Sequence, residues 1–199
     1  LMLDGGCRRD ADRLADEMAV RGLSPDDLRL VCVSHMHPDH AGGAPWIRKR
    51  LGTPIAAPSE GDRWYRGVSG WAQHKVDTLL AQYSAWRNGR KTECVWYSRR
   101  LNPDAVLMDG DTIPGFPDWQ AFSAPGHTAH DMVFYHEASA TLYAADIAIF
   151  RNNRYLLPFP VPFPDRMRAT LDRLSSLRVR TLLLAHGGIR ELQEEENIF

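Results

Sequence analysis

The sequence predicts a single α/β domain spanning its 199 residues. Three observations lead there. Apolar or strand-like runs stand at 28–33, 119–123, 141–145 and 181–185, each too short for a helix and each ending at a polar residue or turn. Helical stripes alternate with them, carried by Leu14, Ala15, Met18 and Ala19 within 9–21 and by Met167, Leu171 and Leu174 within 165–177. At this length, 44% hydrophobic residues suffice for one large core.

Taken in order, the chain opens on a strand, Leu1-Met2-Leu3, that ends at Asp4-Gly5-Gly6. The helix over 9–21 stops at Gly22, and the apolar stretch 28–33 forms a buried strand. Pro45 sits where a first helical turn begins, which predicts a short helix over 44–51 and then a short strand near 54–57. The stretch 59–102 holds four of the six tryptophans, Trp64, Trp71, Trp86 and Trp96. Leu79, Leu80, Tyr83 and Trp86 recur there at helical spacing, so much of this excursion reads as one helix whose aromatics form a local core. The functional alternative is a lid with an apolar pocket wall. The prolines alternating through 157–164 forbid helix and favour a stiff extended loop, a second candidate wall. Both elements point to a small-molecule substrate with an apolar portion.

Composition narrows the partners. A formal net charge of -1 gives no basic face for nucleic acid, and no run of about 18 apolar residues offers a transmembrane helix. The cysteines, Cys7, Cys32 and Cys94, are odd in number and none belongs to a zinc-type pair, which makes a reduced, cytoplasmic setting the expectation.

The chemistry concentrates in Ser34-His35-Met36-His37-Pro38-Asp39-His40-Ala41-Gly42-Gly43, where four metal-capable side chains fall within six residues. In an extended segment the side chains at i and i+2 share a face, so His35 and His37 converge on one ion. A kink at Pro38 turns Asp39 and His40 towards a neighbouring ion. Gly42 and Gly43 let backbone pass close behind the cluster. Further donors stand at strand ends beside loops: His127 in Ala124-Pro125-Gly126-His127-Thr128, Asp146 after Thr141-Leu142-Tyr143-Ala144-Ala145, and His186 before Gly187-Gly188. Taken singly, His127 and His186 read as ordinary core or surface histidines and Asp146 as a turn residue. The four-residue cluster reverses that weighting. The other histidines, His74, His130 and His136, read as structural or solvated.

The motifs HMHPDHAGG, PGHT, AAD and AHGG, in that order and preceded by the strand ending in Asp4-Gly5-Gly6, resemble the metallo-β-lactamase superfamily of binuclear hydrolases from residue 1 to about 188. The resemblance implies a four-layer αββα sandwich of two mixed β-sheets flanked by helices. It implies two Zn²⁺ ions per chain, one held by His35, His37 and His127 and the other by Asp39, His40 and His186, with Asp146 bridging both. A hydroxide shared by the ions would then cleave a carbonyl ester, lactone or thioester, with Asp39 and Asp146 as the catalytic carboxylates. Asp4 is expected to accept a hydrogen bond from a ligand histidine.

The pattern departs from the family in places. Ala145 stands where a glycine commonly precedes the bridging aspartate, Ala129-His130-Asp131 follows the histidine motif, and Ile149 occupies a region where some lactonases carry a tyrosine. Other readings on the same fold are a mononuclear iron dioxygenase of the persulfide type using His35, His127 and Asp146, a β-lactamase, or a phosphodiesterase. Resembling enzymes run through further strands before the point where Leu1 stands. The expectation is therefore an N-terminally truncated chain, or a homodimer whose partner covers the open sheet edge.

Overall fold

The computed structural model describes residues 1–90, 93–193 and 198. The chain divides into two compact units, Leu1–Val106 and Leu107–Phe199. Mixed sheets flanked by helices make it an α/β fold.

The first unit is built on parallel strands. β1 (Met2–Leu3) pairs with β2 (Val31–Cys32), and β2 with β3 (Ile55–Pro58), with Met2 opposite Val31 and Val31 opposite Ile55. The sheet runs in the order β1-β2-β3-β4, where β4 is Ala105–Leu107. Parallel neighbours need crossovers, and helices supply them. α1 (Asp10–Val20) links β1 to β2 and stops as expected, with Gly22 at φ +70. α2 (Pro38–Ala41) is a single turn, and α3 (Ala44–Leu51) carries Pro45 in its first turn and ends at Gly52 in the left-handed conformation. Val31, Val33, Met36, Ile47, Ile55, Tyr65 and Leu101 form the core of this unit.

The excursion consists of α4 (Gly61–Trp64), the long α5 (Gly67–Arg87) and an irregular return. Its aromatics divide: Trp64, Tyr65 and Tyr97 pack in or against the core as expected, whereas those of α5 and Trp96 correct that expectation. Trp71, Trp86 and Trp96 are 50–51% exposed, and Leu79, Leu80 and Tyr83 are exposed with them. The reason is which side of α5 faces inward. Gly70, His74 and Thr78 are its buried residues, so small and polar groups make the contact and the large apolar ones point away. Gly70 is required there, because a Cβ would lie 2.2 Å from the Tyr65 carbonyl carbon.

The second unit holds a six-stranded sheet in the order β12-β11-β8-β7-β6-β5, comprising β5 (Thr112–Ile113), β6 (Phe116–Ser123), β7 (Met132–His136), β8 (Thr141–Tyr143), β11 (Thr181–Leu184) and β12 (Gly188–Glu191). Among the described strands of this sheet only β8 and β11 pair in parallel, joined through the hairpin β9 (Ile149–Arg151) and β10 (Arg154–Leu156) and through α6 (Pro164–Leu174). Asn152 and Asn153 turn the hairpin at φ +53 and +59, the conformation a tight two-residue turn requires. Leu142, Ile147, Met167, Leu174 and Leu182 fill the core beneath. No helix among the described residues is long and apolar enough to cross a membrane.

Candidate metal centre

In the first unit the expected cluster lies at the end of β2, where the chain turns into α2. His37 keeps extended backbone (ψ 154) at the N-terminus of that turn, and Pro38 starts it. His35 and His37 therefore present their rings to each other, with His35 Nε2 and His37 Nδ1 3.0 Å apart. The single helical turn carries Asp39 and His40 round together, and the Asp39 carboxylate lies 3.9 Å from His40 Nε2.

Asp4, immediately after β1, organises this cluster. Its carboxylate is buried and accepts the backbone N–H of Ser34 at 2.6 Å and the Ser34 hydroxyl at 2.7 Å. The same carboxylate lies 2.6 Å from His40 Nδ1. An ionised carboxylate only accepts, so the Nδ1 proton of His40 points at Asp4 and Nε2 is left as the lone-pair nitrogen. Ser34 has spent its hydroxyl hydrogen on Asp4, so at 3.0 Å it accepts from His35 Nδ1, and His35 Nε2 becomes the lone-pair nitrogen in turn. One buried carboxylate thus sets the tautomer of two histidines.

The loop after β1 fits closely against the cluster. Gly5 N–H donates to the His40 carbonyl at 2.7 Å, and Gly43 N–H to the Gly6 carbonyl at 2.8 Å. A Cβ on Gly43 would lie 2.1 Å from the Gly5 oxygen, so only glycine permits this approach.

In the second unit the remaining candidates come together around Asp146, which follows β8. One carboxylate oxygen lies 3.5 Å from His127 Nε2 and the other 3.3 Å from His186 Nε2, so each lobe faces a different imidazole. His127 donates its Nδ1 hydrogen to the Pro160 carbonyl at 2.9 Å, which leaves Nε2 as its lone-pair nitrogen. The proline-rich loop accordingly borders this group, as its sequence position suggested. His127 and Asp146 are buried, whereas the His186 side chain is 43% exposed.

Asp131 is a contributor that the sequence reading passed over. Its buried carboxylate accepts the backbone N–H of Thr128 at 2.5 Å and the Thr128 hydroxyl at 2.7 Å, fixing the residue next to His127. Burial pushes the Asp131 carboxyl above its ordinary value, and the Thr128 donors work against that rise. The signal was Thr128-x-x-Asp131, a pattern of local turn capping. Of the other histidines, His74 and His130 are buried, and His136 accepts from Ser139 beyond β7.

The donors have the chemistry of a hard to borderline divalent cation site: imidazole nitrogens and carboxylate oxygens, with lone pairs already aimed by their neighbours.

Comparison with known proteins agrees with this chemistry. The family model for the metallo-β-lactamase superfamily matches residues 1–186. A probable metallo-hydrolase of Bacillus subtilis (strain 168), YqjP, is 21% identical over 188 residues; the match covers 89% of this chain but only 58% of that protein's length. Among solved structures, TTHA1623 in a di-iron-bound form is 22% identical with a TM-score of 0.66, covering 95% of this chain and 82% of its own. The metallo-β-lactamase family protein TTHA1429 from Thermus thermophilus is 21% identical with a TM-score of 0.67, covering 95% of this chain and 65% of its own. The chain belongs to the metallo-β-lactamase superfamily, and it has that family's α/β fold.

Proposed function

We propose that the chain is the catalytic domain of a metal-dependent hydrolase whose seven donors hold two zinc ions. His35, His37 and His127 serve one ion, Asp39, His40 and His186 the other, and the Asp146 carboxylate serves both. The observation that carries this reading is the engagement of both Asp146 lobes, one towards His127 at 3.5 Å and one towards His186 at 3.3 Å. A carboxylate placed between two imidazoles in this way is arranged as a bridging ligand needs to be. Imidazole and carboxylate donors suit zinc, and they also suit iron. The similar TTHA1623 structure is a di-iron form, so iron is the second reading for the metal.

Ions held by these residues would supply Lewis acidity and lower the pKa of bound water towards neutrality. The chain supplies orientation and charge. Asp4, Ser34 and the Pro160 carbonyl hold the ring protons of His40, His35 and His127 on Nδ1, so that each Nε2 presents its lone pair to a metal. Asp39 and Asp146 bring only two negative charges to the set, which leaves the centre cationic and favours a substrate that develops an oxyanion. That points to a carbonyl ester, lactone or thioester. Phe159, 96% exposed on the loop whose Pro160 carbonyl touches His127, supports a substrate with an apolar portion. Three free cysteines, odd in number, support a reducing, cytoplasmic setting.

The test is hydrolysis by the zinc-loaded protein across lactones, aryl esters, thioesters and phosphodiesters, alongside Asp146→Ala. Turnover of a carbonyl substrate that disappears in Asp146→Ala is expected. Activity confined to phosphodiesters, or oxygen uptake with a persulfide in an iron-loaded form, would overturn the reading.

A further inference from the structure

We propose that Asp77, on the excursion helix α5, is a positioning residue that orients His37 as a metal ligand through the charge its carboxylate sets 3.9 Å from Nε2. The inference rests on the reading of His37 as a ligand given above.

Two facts about His37 set the requirement. Its Nδ1 lies 3.0 Å from His35 Nε2, which the Ser34 contact leaves as a lone-pair nitrogen. The two nitrogens therefore point at the same place, and an ion held there takes the Nδ1 lone pair of His37. The ring proton must then sit on Nε2. Opposite that nitrogen, at 3.9 Å, stands Asp77 Oδ2. A carboxylate on the far side of a ligand imidazole holds the proton there and raises the donor strength of the other nitrogen.

The carboxylate is itself held. Tyr65, in the core of the first unit, donates its hydroxyl hydrogen to Asp77 Oδ2 at 2.8 Å. Tyr97, whose oxygen is 3.1 Å from that of Tyr65, donates to the Met36 carbonyl at 2.5 Å. Each phenol has one hydrogen, and these two are spent on Asp77 and on Met36. Burial pushes both phenols above the ordinary tyrosine range, which favours their protonated, donating form. Met36 lies between His35 and His37 in the chain, so the same pair of tyrosines grips the backbone between the two ligands and the carboxylate behind the second. Asp77 is the single acidic residue of α5, on a helix whose other inward-facing groups are small or neutral. This gives the excursion a role that its exposed aromatics do not explain. Its inner face carries the support of the ligand loop.

The test compares Asp77→Asn and Asp77→Glu with the unsubstituted chain, each checked for folding by far-UV circular dichroism. Zinc affinity is read by competition with a chromophoric chelator, and the His37 Nε2–H by ¹H–¹⁵N correlation on the zinc-loaded protein. The expected result is a loss of affinity of about 10- to 100-fold in Asp77→Asn, with an upfield, faster-exchanging His37 ring proton. Asp77→Glu should keep most of the affinity. A folded Asp77→Asn with unchanged affinity and an unchanged ring-proton signal would overturn the proposal and leave the metal centre standing. Failure of the unsubstituted chain to bind zinc would overturn both. Two variants that do not fold would make Asp77 a packing residue and also overturn it.

Discussion

Asp4 and His40, 36 positions apart in sequence, are joined by a 2.6 Å contact between a buried carboxylate and a buried imidazole Nδ1. Because Asp4 also receives both hydrogens of Ser34, it couples the first strand to two candidate ligands at once. Asp4→Asn keeps the shape but replaces an acceptor by an amide that must also place two hydrogens. Zinc affinity is expected to fall by about 10- to 100-fold with the fold retained. Chelator competition measures it, and unchanged affinity would remove Asp4 from the account.

Ala145, immediately before Asp146, has φ +45, in the left-handed region where a Cβ costs roughly 1–2 kcal/mol. Glycine relieves that strain at some entropic cost in the unfolded chain. Ala145→Gly is expected to raise stability by about 0.5–1 kcal/mol. Urea denaturation of the metal-free protein measures it, and a lower midpoint would contradict the argument.

His74 is buried between Tyr65 and Tyr97, with ring centroids 5.0 and 4.6 Å away. Burial holds its pKa below the ordinary value, and the positive charges of Lys75 and Arg99 act in the same direction. A base whose folded pKa is depressed stabilises the fold fully above its unfolded pKa of about 6.5, and that stability is lost as pH falls through the folded pKa. Comparing urea midpoints from pH 7 to pH 5, the unsubstituted chain should lose more stability than His74→Phe. Equal losses would show that His74 does not titrate on unfolding.

Legibility in the sequence follows the range of the interaction. The strand-to-loop transition before His35 and the helices α1, α3 and α6 were visible because local patterning decides them, with Gly22 marking the end of α1 and Pro45 the start of α3. The candidate ligands were visible because the chemistry is dense at 35–40 and strand ends present the rest. Asp77, Tyr65 and Tyr97 were not, because they meet only after α5 folds back, and no spacing along the chain encodes that. The aromatic face of α5 was misread for a related reason. Helical spacing shows that Leu79, Leu80, Tyr83 and Trp86 share a helix, but it is Gly70, His74 and Thr78 that decide which side packs. The hairpin of β9 and β10 rests on two adjacent asparagines at positive φ, a turn chemistry carried by two residues and not by any apolar periodicity.

The central claim, that seven side chains hold two ions with Asp146 serving both, is tested most directly by metal content. Elemental analysis of protein purified without chelator, paired with Asp146→Ala and His186→Ala, measures it. The account predicts about two equivalents of zinc per chain, a loss confined mainly to one equivalent in His186→Ala, and a disturbance of both in Asp146→Ala. One equivalent of iron and no zinc, or full metal content in Asp146→Ala, would contradict it.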